Sequence, residues 1–167
     1  MEHPEPIPWE IERRFLVPDA SFLQGRTGRR LVQGYLARDP GRTVRLRLET
    51  DEEGRERGWL TVKGPTRLEK GACVRREWEV ELPAAQVRAG LDLCLPHLLE
   101  KTRHHLEHAG RPWVVDVFGG ACAGLVLAEI ELEHPDLAVD LPPWLGAEIG
   151  HDGRYSNASL SHQPRRA

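Results

Sequence analysis

Alternating charged side chains are the feature of this 167-residue chain that could carry chemistry. In an extended strand successive side chains point to opposite faces, so every second residue shares a face. By this rule charged side chains line one face of four segments, which contain Glu10, Glu12 and Arg14; Arg45 and Arg47; Glu77, Glu79 and Glu81; and Glu129, Glu131 and Glu133. One such strand is typical of any half-exposed antiparallel sheet. Several, some acidic and others basic, favour a charged surface that binds an anionic, metal-bound ligand.

Composition limits the classes of protein to which the chain can belong. Hydrophobic residues make up 40% and charged residues 29%, which suits a single globular domain with a proper core. The net charge of -3 argues against nucleic-acid binding, because such proteins usually carry a basic excess. Cys73, Cys94 and Cys122 are odd in number and widely spaced, so neither a disulfide framework nor a thiolate zinc site is expected. With no signal-peptide pattern and no long apolar run, we expect a cytoplasmic protein without membrane contact.

Period-two alternation between turn signals predicts eight strands. They cover residues 9–17, 29–37, 43–50, 57–63, 73–82, 98–107, 112–118 and 124–133. Short helices are predicted from Pro18 to the glycines Gly25 and Gly28, from Pro83 onward, and near Tyr155. We expect one domain over residues 9–161, preceded by a disordered segment (1–8) and followed by a tail (162–167).

Eight mainly antiparallel strands with few helices predict a mainly β fold of the α+β class, either a sandwich or a closed barrel. In one arrangement the charged faces are exposed to water and indicate no function, since runs of charge are usually solvated. In the other the sheet curls so that the charged faces converge inside, and helices cover the apolar outer face. The pattern favours the second arrangement only slightly, and both remain open on charge alone.

Residues 10–17, which read Glu-Ile-Glu-Arg-Arg-Phe-Leu-Val, resemble the E-x-E-x-K signature that opens the CYTH proteins, also called triphosphate tunnel metalloenzymes. Further blocks resemble that family in order along nearly the whole chain. They are Gln33-Gly34-Tyr35-Leu36, Val44-Arg45-Leu46-Arg47, Leu60-Thr61-Val62-Lys63, Arg76-Glu77-Trp78-Glu79, Glu100-Lys101-Thr102-Arg103, Asp116-Val117-Phe118, Ala128-Glu129-Ile130-Glu131 and Arg154-Tyr155-Ser156-Asn157. The short bacterial members, which consist of the tunnel domain alone, are the most similar.

The resemblance implies an eight-stranded antiparallel closed barrel, or tunnel, with a few helices packed on its outside. Its charged lumen would bind a triphosphate chain together with a divalent metal, Mg²⁺ or Mn²⁺. It further implies that the metal ligands are Glu10, Glu12, Glu129 and Glu131. Such hard cations prefer oxygen ligands and are commonly shared between carboxylates and phosphates.

The basic residues on the same faces suit the phosphate chain. The expected substrate-binding residues are Arg14, Arg45, Arg47, Lys63, Arg75, Lys101 and Arg103. Arginine offers phosphate oxygens a planar fork and lysine a compact charge, so the two together neutralise a condensed phosphate. Lys101 and Arg14 are also the candidate catalytic residues, and Glu77 and Glu79 are alternatives for orienting the attacking water.

Two positions depart from the family pattern. Arg14 stands where the signature has lysine, and because arginine stays protonated it cannot serve as a proton-transfer base. We therefore interpret Arg14 as a binding residue. Ser156 and Ser159 stand where short bacterial relatives tend to carry lysines, which predicts a less basic tunnel mouth.

The expected function is metal-dependent hydrolysis of inorganic triphosphate to pyrophosphate and phosphate. Alternatives are hydrolysis of thiamine triphosphate or a nucleoside triphosphate, a class IV adenylate cyclase, and a non-catalytic module that binds polyphosphate or nucleotide. The expected partner is a small anionic triphosphate, and the chain is expected to be a monomer or a homodimer.

Overall fold

The computed structural model describes residues 6–162, so most of the predicted disordered start and of the predicted tail lies outside the described residues. Nine strands run along this part of the chain: β1 Trp9–Leu16, β2 Arg29–Asp39, β3 Arg42–Thr50, β4 Glu56–Lys63, β5 Arg67–Glu69, β6 Ala72–Leu82, β7 Leu99–His108, β8 Arg111–Phe118 and β9 Val126–Glu131. The α-helices are α1 Ala84–Gly90 and α2 Asn157–Leu160. None of the helices within residues 6–162 has the length and apolar character needed to cross a membrane.

The strands form one antiparallel sheet that closes on itself. Its order is β1-β9-β8-β7-β2-β3-β4-β6-β5, and β1 also pairs with β6, which joins the two ends. Along β6, residues 77–82 pair with β4 and residues 72–74 pair with β5, so β5 takes over the position of β4 in the wall. The wall is therefore eight strands around, which confirms the predicted closed barrel.

The register brings the charged residues of neighbouring strands onto one face, because directly opposite residues on antiparallel strands share a face. Arg14 lies opposite Glu129, and Glu10 lies opposite Arg75. Across β3, β4 and β6, Arg45 is opposite Thr61, which is opposite Glu79. All these side chains border the inside of the barrel, so the second arrangement, with converging charged faces, is the one that forms.

The outer face of β1, β8 and β9 is apolar and carries the largest core. Phe15, Trp113 and Ile130 are almost completely buried there. The Trp113 ring meets those of Phe15 and Trp144, with ring centroids 5.8 Å apart in both pairs. Aromatic pairs at such distances add to the free energy that area burial already supplies. Trp144 belongs to the long segment after β9, so loops as well as helices cover the barrel.

Helix α1 packs on the outer face of β3 and β4. Its Val87 is buried among Leu46 and Leu48. Gly58 of β4 permits the close approach, since a Cβ at this position would lie 2.6 Å from Val87 Cγ2. The prediction of a helix after Pro83 is confirmed, with Pro83 as its N-cap residue.

The C-terminal segment packs into one end of the barrel. Leu160 of α2 packs with Leu99, Phe118 and Leu127, which face inward at that end. Ile149 is buried in the same cluster. This apolar cluster, called the apolar plug below, fixes where α2 lies relative to the lumen.

Two predictions of secondary structure were wrong. The segment from Pro18 to Gly25 holds only a three-residue 3₁₀ turn, Ser21–Leu23. Asp19 does accept hydrogen bonds from Ser21 N and Oγ, as a cap would, but the chain turns left-handed at Gly25, with φ at 74°, before a second helical turn forms. Strand β5 was not predicted at all, because its three residues were left unassigned between the predicted strands 57–63 and 73–82.

Candidate active site in the barrel lumen

Two adjoining cavities occupy the lumen. The central cavity, of about 340 Å³, is lined by Glu10, Glu12, Arg14, Arg45, Arg47, Lys63, Arg75, Glu77, Glu79, Arg103, His105, Pro112, Val114, Glu129, Glu131 and Asn157. The second cavity, of about 390 Å³, extends toward Asp39, Arg42, Thr66, Asp152 and Ser159. The two share a set of lining residues, Arg14, Arg45, Lys63, Arg75 and Asn157. The lumen is thus a continuous, strongly charged passage.

All the predicted site residues except Lys101 line the central cavity. In the closed ring of strands, β9 and β3 are four places apart in either direction, so they face each other across the lumen. Glu129 and Glu131 on β9 consequently look toward Arg45 and Arg47 on β3. Carboxylates on one wall and guanidinium groups on the other suit a ligand that carries both a cation and phosphate oxygens.

Three of the four predicted metal ligands, Glu10, Glu12 and Glu129, are held by cations of the lumen. Glu10 Oε1 accepts a hydrogen bond from Lys63 Nζ at 2.8 Å, and Glu10 also pairs with Arg75. Arg14 donates to Glu12 Oε1 at 2.6 Å and to Glu129 Oε1 at 2.7 Å, so a single guanidinium joins two of the four carboxylates. Charged hydrogen bonds of this kind are about twice as strong as neutral ones.

The environment of each carboxylate sets its ionisation. Burial alone would raise the pKa of Glu10, but Lys63 and Arg75 hold that pKa well below its usual range. Burial raises the pKa of Glu12, and Glu129 and Glu10 add to this effect while Arg14 opposes it. Burial and then Glu10 raise the pKa of Glu131. The crowded negative charge indicates a place where a cation is favoured.

The donor set fits a hard divalent cation in its chemistry. Glu10, Glu12, Glu129 and Glu131 offer only oxygen, the donor that Mg²⁺ and Mn²⁺ prefer, and they stand on adjoining strands. Glu131 has no hydrogen-bond or ion-pair partner among residues 6–162, so its carboxylate is available to a cation. Within the same residues, no three His, Cys, Asp or Glu side chains converge as a preformed centre.

Glutamates of β6 partly neutralise the basic residues of β3 and β4 in the same part of the wall. Glu79 lies 3.2 Å from Arg47 NH2 and 3.6 Å from Arg45 NH2. Lys63 Nζ lies 2.8 Å from Glu77 as well as 2.8 Å from Glu10. Burial raises the pKa of Glu77 to about 7, although Lys63 opposes this change. These pairs hold the cations in place.

Lys101 lies in the barrel wall and is not among the residues that line either cavity. Its Nζ donates to Asp116 Oδ2 at 2.6 Å and to Asn157 Oδ1 at 3.2 Å. Arg103 donates to both oxygens of the same Asp116 carboxylate, at 2.7 and 2.8 Å. Burial lowers the pKa of Lys101 to about 8, although Asp116 opposes the change.

Sequence reasoning missed Asn157 and the lining of the second cavity. Asn157 is the first residue of α2 and lines both cavities. Arg42 and Asp39 reach the second cavity from the hairpin between β2 and β3. No alternation marks these positions, because they lie at strand ends or in a segment that folds back from the C-terminus. The only sequence signal for Asn157 was the block Arg154-Tyr155-Ser156-Asn157, which resembles the CYTH family.

Two curated relatives match nearly the whole chain. An inorganic triphosphatase of Acetivibrio thermocellus is 35% identical over 156 residues, which cover 93% of this chain and 94% of the relative. An inorganic triphosphatase of Nitrosomonas europaea is 34% identical over 156 residues, covering 91% and 96%. No family model matches the chain.

Solved structures share the fold. The crystal structure of the inorganic triphosphatase NE1496 superimposes with a TM-score of 0.64 at 31% identity, covering 94% of this chain and 100% of that one. HpAC1 from Hippeastrum superimposes with a TM-score of 0.56 at 16% identity over 75% of this chain and 80% of that one, a likeness of fold alone. The closed barrel with its charged lumen therefore belongs to the enzymes that hydrolyse phosphoanhydride bonds. With relatives this similar over nearly all of its length, the chain belongs to the inorganic triphosphatase family.

Proposed function

We propose that this protein hydrolyses inorganic triphosphate to pyrophosphate and orthophosphate inside its lumen, as a CYTH-type tunnel enzyme that depends on Mg²⁺ or Mn²⁺. The observation that carries the proposal is the division of the central cavity into two walls. Carboxylates of β1 and β9 form one wall, and Arg45 and Arg47 of β3 form the wall across from them. A bare phosphate chain with a bound cation complements both.

The residues of the chain supply positioning and charge, which is most of what phosphoryl transfer requires. Arg45, Arg47, Lys63, Arg75 and Arg103 would bind phosphate oxygens along the lumen. As the terminal phosphorus is attacked by water, negative charge grows on the pyrophosphate that leaves, and fixed guanidinium groups stabilise that charge.

Glu10, Glu12, Glu129 and Glu131 would hold the divalent cation. When bound, such a cation neutralises phosphate charge and polarises the phosphoryl group. Arg14 lies between these carboxylates and the second cavity, and its charge is available to the same substrate. Glu77 and Glu79 face the lumen and remain the candidates for orienting the attacking water.

The proposal is tested by measuring phosphate release from tripolyphosphate, ATP and thiamine triphosphate, each with Mg²⁺, with Mn²⁺ or with chelator. We expect metal-dependent release that is fastest from tripolyphosphate and is lost in the variant Glu10→Gln/Glu12→Gln. Faster release from ATP or thiamine triphosphate would overturn the substrate assignment. Binding of tripolyphosphate without release in any condition would show a module that holds phosphate chains and does not cut them.

A further inference from the structure

Asn157 lies where the central cavity meets the second cavity, and it lines both. It belongs to α2, and the segment around it is fixed to the barrel by cations. Arg14 donates to Tyr155 O at 3.4 Å, and Arg38 donates to Ala158 O at 3.2 Å. Leu160 is buried in the apolar plug. The position of Asn157 in the lumen is therefore set by contacts on both sides of it.

The orientation of the Asn157 amide follows from its partner. Lys101 Nζ carries only donors, so the Asn157 atom 3.2 Å away must be the acceptor Oδ1. Lys101 is itself held by Asp116 at 2.6 Å and is almost completely buried. The amide can rotate only by giving up this charged hydrogen bond and placing its NH₂ group against an ammonium.

The other terminal atom, Nδ2, is left with two N–H donors. No residue between 6 and 162 accepts a hydrogen bond from it, yet the residue borders a passage built for phosphate oxygens. Apart from Asn157 and His105, the polar side chains that line the central cavity are arginines, a lysine and carboxylates. A neutral donor here contacts an oxygen without adding charge to the wall.

We propose that Asn157 is a substrate-binding residue that donates from Nδ2 to a phosphate oxygen, and that Lys101 is the positioning residue that fixes the amide for this contact. The inference rests on the proposed function for its ligand class, a linear triphosphate. It assigns to the C-terminal helix a direct contact with substrate in addition to its packing in the apolar plug.

The test uses the dissociation constant of tripolyphosphate, measured by calorimetry in the presence of chelator, so that binding is read without turnover. Because a hydrogen bond to a charged group is stronger than one between neutral groups, Asn157→Ala should weaken binding about tenfold or more. Asn157→Asp keeps an oxygen for Lys101 and should leave the melting temperature unchanged or higher. It should nevertheless bind tripolyphosphate more weakly than Asn157→Ala.

Asn157→Asp also adds a negative charge to the lumen, and the variant Ser159→Asp controls for that charge. Ser159 lines the second cavity two residues after Asn157, and within residues 6–162 it makes no hydrogen bond to Lys101. Weaker binding in Asn157→Asp than in Ser159→Asp supports the donor role. Equal binding in these two variants, or wild-type binding by Asn157→Ala, would overturn it.

The role of Lys101 is tested by a double-mutant cycle. If Lys101 acts by orienting the amide, Lys101→Met should weaken binding, and Lys101→Met/Asn157→Ala should bind no worse than Asn157→Ala alone. Additive losses would mean that Lys101 acts on the substrate or the fold independently of Asn157. Phosphate release by the wild-type protein is measured alongside. If the wild type binds tripolyphosphate but releases no phosphate, only the proposed function is refuted. If the wild type releases phosphate and Asn157→Ala binds tripolyphosphate as tightly as the wild type, only this inference is refuted.

Discussion

Arg14 and Glu129 lie directly opposite each other on β1 and β9, and Arg14 Nε donates to Glu129 Oε1 at 2.7 Å. The same guanidinium donates to Glu12 at 2.6 Å. Burial would lower the pKa of Arg14, but Glu12 and Glu129 raise it above its ordinary value, so the group is permanently charged. A residue in this state can bind and position but cannot take up a proton.

Arg14→Lys should therefore keep tripolyphosphate turnover within about fivefold of the wild-type rate. Lysine retains the positive charge, and its ammonium offers three N–H donors in place of the planar guanidinium. Arg14→Met should lose most of the turnover, since it leaves Glu12 and Glu129 without their shared partner. Steady-state phosphate release measures both. A rise of more than tenfold in kcat for Arg14→Lys would show instead that the position serves proton transfer.

Glu131→Gln should reduce metal-dependent phosphate release at least about tenfold while leaving the metal-free protein as stable as before or more so. Burial and Glu10 raise the pKa of Glu131, so its ionised form is disfavoured until a cation is present. Thermal unfolding with and without Mn²⁺ measures the stability part. The control is Glu133→Gln, which removes an exposed carboxylate that pairs with Arg111. An equal loss of release in both variants would argue against a metal-binding role.

Glu79→Gln should strengthen metal-free binding of tripolyphosphate about tenfold, because Arg45 and Arg47 lose the carboxylate that lies between them. We expect the gain to shrink in high salt, which screens the attraction. Calorimetry at two salt concentrations measures it. Glu81→Gln, the next glutamate on the same face of β6, pairs with exposed Arg57 and serves as the control. Weaker binding by Glu79→Gln would mean that Glu79 positions the arginines more than it neutralises them.

Lys101 should make the stability of the protein depend on pH between about 8 and 10.5. Burial lowers the pKa of Lys101 to about 8, so in this window the unfolded chain binds more protons at this site than the folded protein does. The free energy of unfolding of the wild type relative to Lys101→Met should then rise with pH, by up to about 1.4 kcal/mol per pH unit.

Urea denaturation at pH 7.5 and pH 9.5 measures this difference. Lys70→Met, which removes an exposed lysine paired with Asp136, controls for the loss of one lysine at the surface. A difference between wild type and Lys101→Met that stays constant or falls with pH would contradict the assignment of a buried, destabilised ammonium.

Gly58→Ala should destabilise the protein by about 1–3 kcal/mol, the usual cost of overpacking a core. The added Cβ would lie 2.6 Å from Val87 Cγ2 and 3.0 Å from Leu82 O, so α1 must move off the sheet. Denaturant titration measures the loss. Adding Val87→Ala should give a double variant less destabilised than the sum of the two single ones, and strict additivity would show that the clash is not the cause.

The strands of the barrel could be predicted because alternation reports directly which residues share a face. Arg13 and Arg14 illustrate it: Arg14 faces the lumen, and Arg13 points outward to pair with Glu148 at 2.7 Å. Strand β5 escaped prediction because three residues give too little alternation. It exists because the left-handed turn at Lys70 and Gly71 folds Arg67–Glu69 back onto β6.

For the candidate site, the sequence could predict which strand residues face the lumen, and no more than that. Alternation assigned Lys101 to the inner face, but it could not tell that Asp116 and Asn157 would hold its ammonium inside the wall. Nor could it show that α2 returns from the C-terminus to bring Asn157 to the lumen. Contacts of this kind depend on how the barrel end is plugged, which no local pattern encodes.

The pairing of β1 also determines when, during synthesis of the chain, the barrel can first close. Glu12 lies opposite Cys73 of β6 and Glu131 of β9, so the earliest strand to be synthesised needs the last one as a neighbour. At roughly 10 residues per second, β1 spends about 10 s on the ribosome without that neighbour. Its alternating glutamates and arginine protect it during this time, since charged side chains keep exposed strand edges from joining other chains. The charged residues of β1 that border the lumen are thus also suited to keep the nascent strand from pairing with other chains.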